Sequence, residues 1–144
     1  MRIMALDLGE KTVGIAVSDE LELTANPRGT LRRNGTELEQ VLRRIEEEEV
    51  GEVVVGLPLL MSSAEGAQAQ RAREFAAELA ARAPVPVRTW DERLTTRQAE
   101  RAMIAADLRR ARRRKQIDQQ AAALILDGYL RYRALQRAAR EESA

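Results

Sequence analysis

The sequence predicts an α/β fold, a mixed sheet with helices on both faces, and three observations carry that expectation. Two short apolar segments near the N-terminus flank the turn Gly9-Glu10-Lys11-Thr12, as the two strands of a hairpin would. Farther on, Glu52-Val53-Val54-Val55-Gly56-Leu57-Pro58 is almost continuously apolar, the pattern of a parallel strand covered on both faces. Around that strand lie stretches whose apolar residues recur at helical spacing. A hairpin followed by alternating helices and strands closes into one layered unit.

The elements follow in order. Residues 2–8 read as the first strand, and Val13 to Ser18, apolar on alternate positions, as the second. A weaker third strand is expected around Thr24 to Leu31, where Pro27 and Gly29 suit an edge position. Thr36 and Glu39 have the spacing of a capping box, and Leu38, Val41, Leu42 and Ile45 follow as one face of a helix over about 36–49. Gly56 and Pro58 end the central strand, residues 60–66 read as a loop, and a second helix carries Ala72, Phe75, Ala76 and Leu79 until Pro84 and Pro86 stop it. Residues 85–91 make another strand. Thr95 and Gln98 cap a third predicted helix bearing Ala99, Ala102, Met103 and Ala106, and a last helix shows Ile117, Ala121, Leu124, Ile125, Tyr132 and Leu135.

At 144 residues the chain fits a single domain, 1–144, with a basic loop at about 107–116 and a mobile C-terminal tail at about 140–144. No apolar stretch approaches membrane-spanning length and the start lacks a signal-peptide pattern, so the expected location is the cytoplasm, with no membrane partner. The chain has no cysteine and no histidine, which removes disulfides, thiolate nucleophiles, the commonest general base and the commonest zinc ligands. Catalysis here must use carboxylates, Lys, Tyr, Ser or Thr, with or without a hard cation. The net charge of +1 sums two opposed blocks: Glu46-Glu47-Glu48-Glu49 and Arg109-Arg110-Ala111-Arg112-Arg113-Arg114-Lys115. The basic block suits a polyanion such as nucleic acid; its plainer reading is a solvated, arginine-rich linker.

Asp7 interrupts the apolar run Ile3-Met4-Ala5-Leu6-Asp7-Leu8-Gly9, where an ionised carboxylate is costly without a partner or a metal. Two further acids stand in suggestive places. Asp118 lies within about 60° of Ala121 and Ala122 and about 20° of Ile125 on the last helix, on the flank facing the sheet, whereas Asp127 points about 180° away. An acid in a first helical turn also complements the helix dipole, which is Asp118's plainer role. For Asp91 and Glu92, strand alternation places one on each face and does not decide which enters a site. Either acid could instead pair with Arg93. Trp90 reads as a packing residue beside the site, and with so few aromatics base stacking is not expected to drive recognition.

These motifs together resemble the YqgF/RuvX-like proteins of the ribonuclease H-like superfamily, described as Holliday-junction resolvases and as pre-16S rRNA nucleases. The resemblance spans nearly the whole chain. It rests on Ala5-Leu6-Asp7-Leu8-Gly9 with Val13-Gly14-Ile15-Ala16-Val17-Ser18-Asp19, on Val54-Val55-Gly56-Leu57-Pro58-Leu59, on Asp91-Glu92-Arg93-Leu94-Thr95-Thr96, and on Ile117-Asp118 followed by Ala121-Ala122-Ala123-Leu124-Ile125-Leu126. It implies a ribonuclease H-like, five-stranded mixed sheet, strands one to three antiparallel and two more added parallel to strand one. It also implies a metal-binding, catalytic triad of Asp7, Glu92 and Asp118, resolving the tie toward Glu92. The chain departs from the family pattern at Leu60-Met61-Ser62-Ser63, in place of an Asn and an Asp-Gly pair, and at Thr12, in place of a basic residue. Neither departure touches the triad.

Three carboxylates at 4 Å repel one another by about 4 kcal/mol per pair at an effective dielectric near 20, which a divalent cation relieves. An all-oxygen set fits one or two Mg²⁺ or Mn²⁺ ions and the two-metal route to phosphodiester hydrolysis. Arg71, Arg73, Arg93, Arg109, Arg110, Arg112, Arg113, Arg114 and Lys115 are the candidate contacts to the nucleic-acid backbone. The resemblance favours precursor 16S rRNA, within a ribosomal-subunit precursor, over branched DNA; a monomer or a homodimer would serve. Two other readings compete: a phosphate-binding ATPase or sugar-kinase-like unit, which needs two such domains, and a non-catalytic RNA-binding assembly factor.

Overall fold

A computed structural model describes residues 1–58, 66–91 and 121–143. Five strands, β1 (Arg2–Leu8), β2 (Thr12–Ser18), β3 (Ala25–Arg32), β4 (Val50–Leu57) and β5 (Val87–Asp91), form one sheet in the order β3-β2-β1-β4-β5. β1 to β3 pair antiparallel, while β4 lies parallel to β1 and β5 parallel to β4. This is the mixed sheet expected from the sequence. Helices α1 (Glu37–Glu47) and α2 (Ala67–Arg82) cover one face, and α3 (Ala121–Ser143) covers the other.

Side-chain alternation divides the core in two. Met4, Leu6, Val53 and Val55 pack with Val41, Ile45, Phe75 and Leu79 beneath α1 and α2. Ile3, Ala5, Ala16 and Val54 pack with Ile125, Leu126, Tyr129 and Leu130 of α3. β1 and β4 are therefore apolar at successive positions, since both of their faces are covered. Each large side chain fully buried in this way contributes about 1.5–3 kcal/mol.

β3 is an edge strand, as its Pro27 and Gly29 suggest. Between the pairs Gly14↔Thr30 and Ala16↔Pro27 it holds one residue more than β2, and Gly29, at φ +82°, sits in that bulge. β5 begins two residues later than expected, because Pro86 lies before the ladder and offers it only its carbonyl, which accepts from Val53 N–H.

Two expectations need correction. Thr36 is the N-cap of α1, but no capping box forms: its hydroxyl donates to Asn34 Oδ1 at 2.6 Å, and Glu39 is drawn 2.6 Å from Arg82 instead. The apolar face of α3 is rotated from the one read in the sequence. Ala122, Ala123, Ile125, Leu126, Tyr129 and Leu130 are buried, whereas Tyr132 and Leu135 are 45% and 70% exposed. The buried face of the helix spans Ala122 to Leu130, and in the turns beyond it Tyr132 meets the Trp90 ring at the sheet's edge. The helix continues through Ser143, taking in most of the expected tail. The third predicted helix, the loop at 60–65 and the basic block lie outside the described residues.

Candidate functional site

Asp7 is the penultimate residue of β1, at the end of the sheet where the parallel strands finish. Ile3 and Ala5 face α3, so alternation turns Asp7 to the same side, half-buried. Its partner on β2 is Gly14, which follows Ala16 on that face. A Cβ placed on Gly14 would stand 3.7 Å from Asp7 Cβ and 3.6 Å from Ala122 Cβ of α3, so glycine leaves a methyl-sized space beside the carboxylate. The bulge of β3 widens it. The result is a cavity of about 140 Å³ bounded by Asp7, Thr12, Gly14, Thr30 and the first turn of α3 at Ala121 to Ala123.

The turn after β1 is fixed by Gly9 N–H donating to the Thr12 carbonyl at 2.8 Å and by Arg33, whose guanidinium donates to the Gly9 carbonyl at 3.1 Å. Asp7 is thus presented by a strand paired on both sides and closed by a tied turn. Its carboxylate is a hard oxygen donor, and its walls are small side chains with room for a cation's ligands. The chain has no softer histidine or cysteine to compete, so this half of the site fits Mg²⁺ or Mn²⁺.

Of the three acids expected to act together, the described residues contain Asp7 alone; Glu92 and Asp118 lie outside them, as do Arg93 and the cations of 109–115. The first described turn of α3, three residues after Asp118 in sequence, borders Asp7's cavity. Asp91 is described, as the last residue of β5. Parallel register sets Val87 beside Val53 and Asp91 beside Leu57, which belong to the core under α1 and α2. Asp91 therefore falls on the face away from Asp7. Arg71 and Arg73 are exposed on α2, in the helical layer opposite α3. Asp127 pairs with Arg131 at 3.1 Å on the outer side of α3.

A second constellation was not anticipated. Glu52, 4% exposed within β4, accepts a 2.6 Å hydrogen bond from Tyr129 Oη and a 3.0 Å bond from Arg88 Nε. Burial, together with that bond to a carboxylate, pushes the Tyr129 phenol up to about 12. Arg133 bridges to Glu52 at 3.6 Å and donates to Glu22 at 2.6 Å. Glu22 lies in the β2–β3 turn with a left-handed φ of 60°. Burial acts to raise its pKa, but the Arg133 bond and the charges of Arg133, Arg137 and the N-terminus outweigh it and hold the carboxyl below its usual range. In the same turn Asp19 accepts from Thr24 and Leu23 N–H, a turn-closing role that lowers its pKa from the ordinary carboxylate value. The signal for Glu52 was in the sequence: an acid inside an apolar strand, the argument applied to Asp7.

Trp90 also takes its place here. It packs edge-on against Tyr129 at 5.4 Å between centroids and lies 5.3 Å from Tyr132. It lines a cavity of about 550 Å³ between β5 and α3. Among the described residues, no helix is long and apolar enough to cross a membrane.

The family model described as "RuvX: Holliday junction resolvase" matches residues 1–132. A relative from Symbiobacterium thermophilum is 51% identical over 138 residues, covering 93% of this chain and 94% of its own length; one from Desulfitobacterium hafniense is 46% identical over 132 residues, covering 92% and 93%. Both bear the name "Putative pre-16S rRNA nuclease". Among solved structures, the yeast mitochondrial Holliday junction resolvase is similar in fold, with a TM-score of 0.59 at 12% identity over 96% of this chain and 81% of that one. With the family model spanning all five strands and the start of α3, the chain belongs to the RuvX family.

Proposed function

We propose that this chain is a metal-dependent nuclease that hydrolyses phosphodiester bonds in precursor 16S rRNA, as part of ribosome biogenesis in the cytoplasm. The observation that carries the reading is Asp7: a carboxylate held on a rigid strand end, facing a cavity of about 140 Å³ bounded by Thr12, Gly14, Thr30 and the alanines that open α3. Relatives near half identity along almost their whole length, named for pre-16S rRNA cleavage, favour that substrate. The family description favours branched DNA as the second reading.

In this proposal Asp7, Glu92 and Asp118 hold one or two Mg²⁺ or Mn²⁺ ions. Asp91's place on the opposite face is the observation that favours Glu92. Bound there, a divalent ion would supply an activated water and charge stabilisation at the phosphate. The work of the chain is orientation: β1 holds Asp7, the tied turn keeps the strand end from fraying, and Gly14 keeps the neighbouring space open. Arg93, the 109–115 cations, and Arg71 and Arg73 would neutralise the backbone with little base discrimination.

The test is cleavage of a labelled 16S precursor fragment and of a four-way DNA junction, each with Mn²⁺, Mg²⁺ or chelator, by the protein and by Asp7→Asn. Metal-dependent RNA cutting that Asp7→Asn loses supports the proposal. The loss should exceed about 100-fold, since even groups one contact removed from a metal are worth 10–100-fold. Junction cutting alone would move the assignment to branched DNA. A folded, metal-loaded protein that cuts neither would be a binding factor.

A further inference from the structure

We propose that the cavity between β5 and α3 is a second nucleic-acid contact, a groove that takes an unpaired segment of the substrate running from the Asp7 site along α3. It rests on the nucleic-acid reading above but uses none of the residues assigned there.

Three features converge. The first is aromatic. The chain has only four aromatic residues, and three of them, Trp90, Tyr129 and Tyr132, meet at this cavity. Tyr129 is buried, its hydroxyl donating to Glu52, whereas Tyr132 packs against Trp90 and keeps 45% of its surface exposed. A ring so placed offers a π-face to a base.

The second is charge. Arg88, Arg133, Arg137 and Arg140 line the cavity, and among the described residues the carboxylates that Arg88, Arg133 and Arg137 contact are Glu22 and Glu52, both buried. Among the described residues positive charge is thus in surplus on the open side, with Arg88 60% and Arg137 46% exposed at their side chains. The buried acids orient the guanidinium groups, and the outer surface stays cationic. Base-stacking rings beside a basic track are the elements of a single-strand site. An acidic peptide would answer the charge but leave the aromatic wall unused.

The third is position. The groove follows α3 toward the end of the sheet that carries Glu52 and Glu22, while the start of the same helix, at Ala122, stands by Gly14 and Asp7. From Ala122 to Tyr132 the helix advances about 15 Å. A strand whose phosphate reached Asp7 could run along α3 and lay a nucleotide farther along in the groove. A duplex cannot offer an unstacked base there, so the groove favours unpaired segments.

Trp90 is the only tryptophan of the chain, so its fluorescence reports on this groove, and the Tyr132 and Arg140 variants separate the groove's share from that of the site at Asp7 and Glu92. The experiment uses full-length Asp7→Asn in chelator, where nothing is cut, titrated with a single-stranded RNA oligonucleotide, the same strand as DNA, and the RNA annealed to its complement. Single strands should quench Trp90 and the duplex should bind more weakly. RNA binding more tightly than DNA would identify a ribose contact, and equal binding a site for base and phosphate; both support the groove. Adding Tyr132→Ala should weaken single-strand binding about tenfold, and Tyr132→Phe should restore it. Arg140→Ala, at an exposed helical position, should lower the salt dependence by about one counterion.

Absence of quenching, or single-strand affinity unchanged in both Tyr132→Ala and Arg140→Ala, would overturn the proposal. The two readings fail separately. Quenching by a protein that cuts nothing would leave the groove standing without the nuclease, and metal-dependent cutting without quenching would do the reverse.

Discussion

Replacing Tyr129 by Phe removes one oxygen from the structure and leaves the ring that packs in the α3-side core. The hydroxyl lost is the donor to Glu52 Oε2 at 2.6 Å, inside the protein, to an acid that is 4% exposed. Hydrogen bonds to charged groups are worth about 1.5–3 kcal/mol, and the isosteric ring opens no cavity of consequence. Urea unfolding should therefore show a loss of about 1.5–3 kcal/mol, and thermal unfolding a fall of about 3–12 °C at the 2–4 °C per kcal/mol expected of a chain of this size. The alkaline limb gives an independent measure. Folding raises the Tyr129 pKa from 10.0 to about 12, so the folded state binds its proton more tightly than the unfolded state does. The stabilisation is whole below pH 10 and is lost as pH rises toward about 12, at about 1.4 kcal/mol per pH unit. The difference between wild type and Tyr129→Phe should shrink over that window. A variant within about 0.5 kcal/mol of wild type, the scatter of surface substitutions, would refute this reasoning. So would a gap that persists undiminished to pH 12.

Further outcomes follow from the same geometry. Glu22→Gln should leave Arg133 and Arg137 facing a neutral amide; because Glu22's carboxyl is held below its ordinary value of 4.5, its stabilisation is present above that pH and lost as pH falls through the lowered one. Acid titrations of the two proteins should therefore converge below pH 4.5 and separate above it. Leu126→Ala, at a side chain with no exposure, should cost about 2–5 kcal/mol in urea unfolding and loosen α3 from the sheet. Asp91→Asn should cut like wild type, since Asp91 lies on the α1 and α2 side, while Glu92→Gln should be inactive in the same metal-dependent assay. Equal loss in both would mean that strand parity does not select the metal ligand.

The Glu52 cluster also explains how α3 is held in register. Its apolar stripe ends at Leu130, and the next inward-facing residue, Arg133, reaches both Glu52 and Glu22. A buried pair of this kind is weak evidence for net stability, because desolvation offsets much of the attraction. Its clearer effect is geometric. Apolar contacts alone would tolerate a helix sliding along the sheet; bonds to carboxylates fixed in β4 and in the β2–β3 turn do not. The opposite end of α3, where Ala122 meets Gly14, is thereby kept beside Asp7.

The strands, the first two helices and the place of Asp7 in a buried strand were legible in the chain itself, because each is a local pattern. Period-two and helical spacing mark burial. Proline and glycine mark ends and edges, and a charge inside an apolar run marks a site whatever surrounds it. The same local rule would have found Glu52. Other features depend on residues far apart in sequence and could come only from the packed molecule. Thr36 lost its capping box because Asn34 and Arg82 offered its members other partners. Tyr132 and Leu135, apolar and well spaced, are exposed because the sheet beneath α3 ends before they do. Strand alternation alone did not say which face Asp91 takes; its register beside Leu57 does. Local sequence determined which residues must be buried or partnered; which partner each one takes was decided by tertiary contact, since that choice depends on distances the chain acquires only on folding.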